Sequence, residues 1–203
     1  MFLGIDIGTS SIKAVLVDDA GAVADQASAP LTVSRPHPGW SEQDPADWWR
    51  ATNHAVTALD AQCRRQVRAI GLSGQMHGAT LIDAADRPLR PAILWNDGRC
   101  AAQCAALERA APASRKITGN LAMPGFTAPK LLWVQQHEPG VFAATRFVLL
   151  PKDYVRLCMT GAKATDLSDA AGTLWLDVAQ RAWSDAMLAA TGLTQNQMPR
   201  LHE

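Results

Sequence analysis

The sequence predicts an α/β lobe whose mixed sheet opens as an antiparallel three-stranded meander and is flanked by helices. Three observations carry this. Residues 2–17, FLGIDIGTSSIKAVLV, hold two apolar runs on either side of a Gly8-Thr9-Ser10 break: Phe2, Leu3, Ile5 and Ile7 before it, Ile12, Ala14 and Leu16 at period two after it. Two β-like runs across a small-residue turn read as a hairpin. A turn at Asp18-Asp19-Ala20-Gly21 then leads to a third strand over 22–29. Further along, helix starts and short apolar runs alternate through most of the chain, the pattern of an α/β fold.

Residues 31–44, with SRPHPGWSEQD, read as a long loop in which His37 and Trp40 either rim a pocket or, more simply, pack the loop. Asp44-Pro45 starts a helix, a capping acid followed by proline at the first helical position. Trp48, Trp49, Thr52, Val56 and Leu59 form its stripe, with the paired tryptophans in the core. An apolar strand over 67–72 ends in Ser73-Gly74-Gln75-Met76-His77-Gly78 and resumes over 79–82. A short run over 92–95 ends in Asn96-Asp97-Gly98-Arg99, before a helix over 100–109. Residues 119–125 are loop. Helices start at Thr127-Ala128-Pro129 and, after a strand over 146–150, at Pro151-Lys152-Asp153, the latter ending near Gly161. Asp166, Asp169, Gly172 and Thr173 precede a short apolar stretch over 174–176, and a last helix over 185–191 closes at Gly192. No repeat, low-complexity segment or linker interrupts the chain.

At 203 residues and 48% hydrophobic, the chain has enough material for one good-sized domain. Its net charge is zero, which gives no electrostatic case for nucleic acid or an anionic membrane. No apolar segment reaches membrane-spanning length, and no secretory signal is visible. Cys100 and Cys104 lie one helical turn apart, with no His or third Cys close by. Together with Cys63 and Cys158 they read as free thiols in a reducing cytoplasm rather than as metal ligands.

Two places carry chemistry. Asp6 interrupts the first apolar run, where a charge is costly unless paired, hydrated or bound to metal. Gly8 lets the backbone adopt dihedrals closed to other residues. The hydroxyls of Thr9, Ser10 and Ser11 and the turn's N–H groups suit a phosphate, with Asp6 holding a metal or its water and Lys13 adding positive charge. A tight hairpin whose Asp bonds its own turn is the plain alternative. The second place is the strand end at 73–78, where α/β proteins bind ligands. Gln75 and His77 both donate and accept, which suits sugar hydroxyls, and Met76 can pack on a carbon skeleton. Asn96 and Asp97 could bind hydroxyls, or cap the following helix with Arg99 pairing Asp97.

Ile5-Asp6-Ile7-Gly8-Thr9-Ser10 resembles the first phosphate loop of the sugar-kinase, heat-shock chaperone and actin ATPase superfamily. GFTAPKLLWVQQH at 125–137 fits the first signature of the FGGY carbohydrate kinases. LLPKDYVRLCMTG at 149–161 and TDLSDAAGTLWLD at 165–177 are similar to later segments of the same lobe, so the resemblance covers essentially the whole chain. SRPHPGWSEQDP, GQMHGATL, ILWNDGR and TGNLAMPGFTAPKLLW look like the branch that phosphorylates xylulose.

The resemblance implies an RNase H-like (actin-like ATPase) lobe and ATP-dependent phosphorylation of D-xylulose at its 5-hydroxyl. It implies that Met76 and His77 contact the sugar, with Gln75, Trp95, Asn96 and Asp97 beside them. Asp6, Gly8, Thr9, Ser10 and Lys13 would face the nucleotide, with Asp6 near Mg²⁺, directly or through water. Family members often carry Arg where Lys13 stands; both are cations, but Lys lacks the bidentate fork. They are also much longer, with a second lobe that holds the catalytic Asp and most of the adenine site. Residues 1–203 are thus expected to be the N-terminal, sugar-binding lobe, a fragment or truncated product without the catalytic base and inactive by itself. A homodimer is a further expectation. The alternatives are another FGGY kinase, acting on ribulose, gluconate or glycerol, and a non-catalytic sugar-binding or actin-like module.

Overall fold

In the computed structural model, which describes residues 1–203, β1 (Phe2–Ile7) and β2 (Ser11–Val17) form the expected hairpin, with Phe2 opposite Val17 and Asp6 opposite Lys13. β3 (Val23–Pro30) pairs antiparallel with β2 and completes the meander. The stretch read as loop contains a two-residue strand, β4 (Glu42–Gln43). It is followed by α1 (Pro45–Ala58), whose cap Asp44 accepts from the Ala46 N–H, and by the short α2 (Ala61–Arg64). β5 (Ala69–Gly74) then runs parallel to β1, placing Ser73 beside Asp6. The resulting four-stranded sheet has the order β3-β2-β1-β5.

The rest of the chain is built from shorter pieces. They are β6 (Thr80–Ile82), β7 (Ala92–Ile93), α3 (Ala101–Ala110), α4 (Ser114–Thr118), α5 (Thr127–His137), α6 (Pro139–Ala144), β8 (Phe147–Leu149), α7 (Pro151–Thr160), β9 (Ala164–Asp166), α8 (Leu167–Ala171), β10 (Leu176–Asp177), β11 (Ala182–Trp183), α9 (Asp185–Ala189) and β12 (Arg200–His202). β4 pairs with β7, β6 with β8, β9 with β12 and β10 with β11. Gly161, at φ +73°, closes α7 in the left-handed conformation that glycine adopts without penalty.

Alternation along the strands divides the four-stranded sheet into two faces. Leu3, Ile5, Ile7, Ile12, Ala14 and Leu16 point inward and pack with Trp48, Ala51 and Ala55 of α1 and Tyr154 and Val155 of α7. Gly4, Asp6, Lys13, Val15, Gly71 and Ser73 line the opposite face, which borders an open cavity of ≈ 890 Å³. A second apolar core gathers Leu107, Phe126, Leu131, Trp133, Val134, Trp175 and Leu188 from the helical half. No helix is long and apolar enough to cross a membrane.

A buried charge network holds the 31–44 segment to the rest. Arg99, its side chain 1% exposed, pairs with Asp97 at 2.7 Å and with Glu42 at 2.7 Å. Glu42 also pairs with Arg90, which reaches Glu138 at 2.9 Å. The Arg99 guanidinium lies 3.6 Å from the Trp40 ring centre and 5.0 Å from that of Trp133. Removing one member strands its buried partners, so Arg99→Ala is expected to cost about 3–5 kcal/mol in denaturant unfolding. A loss under about 0.5 kcal/mol, typical of a surface substitution, would show that the network is not closed as described.

Candidate functional site

The two strand ends, β1 and β5, meet through amide side chains. Gln43 and Gln75 are both buried. Gln75 Nε2 donates to Gln43 Oε1 at 2.8 Å, and Trp48 Nε1 donates to the same oxygen at 2.9 Å. Gln43 Nε2 donates to the Thr9 carbonyl at 2.7 Å, and the Thr9 hydroxyl donates to Gln75 Oε1 at 3.1 Å. Trp95 Nε1 donates to that hydroxyl at 3.1 Å. The hairpin turn, the β5 end and Trp95 are thereby locked to α1 by a continuous chain of hydrogen bonds.

This placement changes the reading of several residues. Gln75 is 6% exposed and its amide is engaged by protein, so it stands behind the groove rather than in it. Asp97 is 2% exposed and accepts from the Ser41 N–H and from Arg99. Its carboxylate is therefore a structural partner, the plainer of the two readings. Asp6 is exposed, because its parity with Gly4 turns it away from the apolar face, and the burial cost expected of it does not arise. Gly8 has no unusual φ. It is required by space instead: a Cβ there would lie 2.7 Å from the Ser11 carbonyl oxygen. Thr9 and Ser10 sit at the turn, Ser10 exposed. Lys13 faces Asp6 across the hairpin without forming an ion pair, so both charges remain available.

Met76 and Trp95 are 45% and 44% exposed, large apolar groups presented to solvent. Asn96 lies apart, exposed in a cavity of ≈ 480 Å³ with Arg35, His37 and Trp40. His77 borders another cavity, ≈ 510 Å³, with Met76, Lys152, Ser168, Asp169 and Gly172. Leu72 and Ser73 line both this cavity and the one beside Asp6 and Lys13. The two cavities therefore adjoin at Leu72 and Ser73, with Asp6 and Lys13 beside one and Met76 and His77 beside the other.

His77 is held in a strained backbone, φ +64°. Lys130 secures it. The Lys130 side chain is fully buried, and its Nζ donates to the carbonyls of His77 at 2.8 Å and Gly125 at 2.7 Å, while Thr127 adds a bond to the His77 carbonyl at 3.2 Å. Burial in the absence of a carboxylate partner lowers the Lys130 pKa to about 7. A neutral amine has two N–H groups, matching the two carbonyls. Burial, reinforced by the nearby Lys130, also pushes the His77 imidazole below its ordinary pKa, favouring the neutral ring. Lys152 forms the floor on the other side, with its Nζ 2.8–2.9 Å from Asp153, Asp166 and Asp169. Burial alone would lower its pKa, but Asp153 and Asp169 more than reverse this and keep it charged. The contributions of Gln43, Lys130, Lys152 and Gly172 were not visible in the sequence reading, although Lys130 sits inside the GFTAPKLLW segment that carried the resemblance.

Residues 1–203 match the FGGY family of carbohydrate kinases, N-terminal domain, and the chain belongs to that family. It is 62% identical over 204 residues to the xylulose kinase of Escherichia coli (strain K12), covering 100% of this chain and 42% of that protein. The crystal structure of a xyloylose kinase from Brucella ovis superposes with a TM-score of 0.96 at 56% identity, over 99% of this chain and 43% of that one. Xylulose kinase from Rhodospirillum rubrum gives 0.91 at 32% identity, over 98% and 42%. The chain thus spans about 42% of the length of the curated relatives it matches. The fold is the actin-like ATPase lobe that the first-strand loop implied.

Lys130→Met keeps the apolar stem and removes both carbonyl bonds. The folded pKa near 7 lies below the ordinary 10.5, so between these values the unfolded chain holds more protons and stability from this group rises with pH. The variant is therefore expected to be destabilised by about 1–3 kcal/mol, more at the alkaline end of that window than at neutrality. An equal loss at both ends, in denaturant titrations, would contradict the assignment.

Proposed function

We propose that this chain is the N-terminal, sugar-binding lobe of an ATP-dependent kinase that phosphorylates D-xylulose at its 5-hydroxyl to give xylulose 5-phosphate. The observation that carries the proposal is the pair of adjoining cavities that share Leu72 and Ser73, one bordered by Asp6 and Lys13 and the other by Met76 and His77. The xylulose kinases among the relatives and structural neighbours support the sugar.

In this reading the neutral His77 ring and Met76 receive the ketose, the ring by hydrogen bonding to hydroxyls and the thioether by packing on the carbon skeleton. The exposed indole of Trp95 covers the sugar, and Asn96 stands at a more distant rim. Thr9, Ser10, the close-packed backbone at Gly8, and Lys13 face the phosphates. Asp6 suits Mg²⁺, which characteristically takes one or two carboxylates and completes its shell with phosphates and water. The exposed Asp6 carboxylate, not ion-paired with Lys13 opposite it, fits that use. Bound Mg²⁺ would supply charge neutralisation on the phosphoryl oxygens.

Phosphoryl transfer needs donor and acceptor in line inside a water-poor cleft. One lobe supplies one wall of such a cleft. The proton acceptor for the sugar hydroxyl belongs to a second lobe in this proposal, Asp6 being committed to the phosphate side. The cytoplasm is the compartment that offers both ATP and phosphorylated sugars.

Steady-state kinetics on the full-length protein carrying this lobe test the reading with a panel of xylulose, ribulose, gluconate and glycerol. Xylulose should give the highest kcat/KM; equal turnover of ribulose would remove the narrower substrate assignment. His77→Ala should raise the KM for xylulose roughly tenfold or more while leaving that for ATP nearly unchanged. Asp6→Asn should mainly lower Mg²⁺-dependent turnover. The opposite pattern would mean that the two ends of the groove have been exchanged.

A further inference from the structure

Gly172 follows α8 at φ −75°, ψ 0°, an ordinary right-handed conformation open to any residue. The backbone does not ask for glycine there. The neighbouring side chain does. A Cβ on Gly172 would overlap Cε1 of His77 and lie 2.6 Å from its Nδ1. On another side the imidazole meets Phe126 edge-on, with ring centres 4.8 Å apart. The main chain of His77 has little room to retreat, because its carbonyl is tied to Lys130 and Thr127 and its φ is +64°. The ring is clamped between Phe126 and the bare backbone of Gly172.

The clamp selects a ring nitrogen. Nδ1 is buried and makes no hydrogen bond of good geometry, although the Gly172 backbone lies near enough to the ring to favour its protonated form; Nε2 makes no hydrogen bond to protein. Nε2 is therefore the nitrogen left to meet a ligand in the ≈ 510 Å³ cavity that His77 and Gly172 both line. Three groups beside the imidazole bear on its charge: Lys130 opposes protonation, while the Gly172 backbone and Asp169 favour it.

We propose that Gly172 is a positioning residue that determines ketose specificity through His77. Its missing side chain fixes the direction of the imidazole, and so the hydroxyl arrangement that the cavity accepts. The inference rests on the reading of this cavity as the ketose site. A methyl group at residue 172 forces the ring to swing off its axis, whereas the nucleotide end of the groove is untouched.

The test is a double-mutant cycle in the full-length protein: wild type, Gly172→Ala, His77→Ala and the double variant, each assayed with xylulose and ATP and each melted thermally. Gly172→Ala is expected to raise the xylulose KM about tenfold with the ATP KM held within about twofold. In the His77→Ala background the same substitution should add less than about twofold, because the overlapping partner is gone. An unchanged xylulose KM in Gly172→Ala, or an equal increase in both backgrounds, overturns the proposal. If Gly172→Ala fails to fold and the double variant folds, the clamp is confirmed through stability. If neither folds, the glycine serves something other than His77 and the proposal falls. A wild type without xylulose-dependent ADP release removes the functional reading instead. The melting temperatures still report on the clamp in that case: Gly172→Ala should lower Tm only where His77 is present.

Discussion

Everything at the site depends on one buried pair of amides. Gln43 and Gln75 come from strands that do not pair with one another, β4 and the end of β5, and each is sealed from water. A buried amide left unpaired costs more than a formed bond contributes, so the two must find partners. The partners are each other, the indole of Trp48, the carbonyl and hydroxyl of Thr9, and the carbonyls of Gly8 and Thr32. The hairpin turn is thereby fixed relative to Met76 and His77. Rigid spacing of this kind is what the proposed phosphoryl transfer would require, because misplacement of about 1 Å already costs heavily in rate.

The second constraint acts on His77 alone. Positive φ in a non-glycine residue persists only where the surroundings over-determine it. Here a buried lysine, a threonine hydroxyl, an aromatic edge and a side-chain-free backbone converge on one residue. Lys130 is expensive to bury as a cation, and its pKa falls to about 7 while its amine serves both carbonyls. Lys152 solves the same problem differently, staying charged among three aspartates. The two buried lysines thus shift in opposite directions for identifiable reasons, Lys130 downward and Lys152 upward.

The parts legible in the sequence were those with local causes. Period-two alternation fixed the hairpin, and Asp44-Pro45 marked the start of α1. The same alternation, followed strictly, also places Asp6 on the face opposite Leu3, Ile5 and Ile7. Treating it as buried overlooked that parity. β4 was read as loop because a two-residue strand has no pattern of its own. It exists only through its pairing with β7, some fifty residues away, and through the Arg99–Glu42 ion pair. Gln75 and Asp97 carried the right polarity for sugar binding, but their partners, Gln43 and Arg99, decide where that polarity points. Gly172 had no local signal, since its conformation is ordinary and its neighbour His77 is distant in sequence.

The central claim is that Gln75 is a strut shared by the two ends of the groove. Gln75→Met, close in length but without the amide, isolates it, with both Michaelis constants measured on the full-length protein after its fold is verified by circular dichroism. A strut predicts that the KM for ATP and the KM for xylulose rise together, because the turn at Thr9 and the segment bearing His77 lose the same tether. A rise confined to xylulose would instead make Gln75 a direct sugar contact and contradict the account.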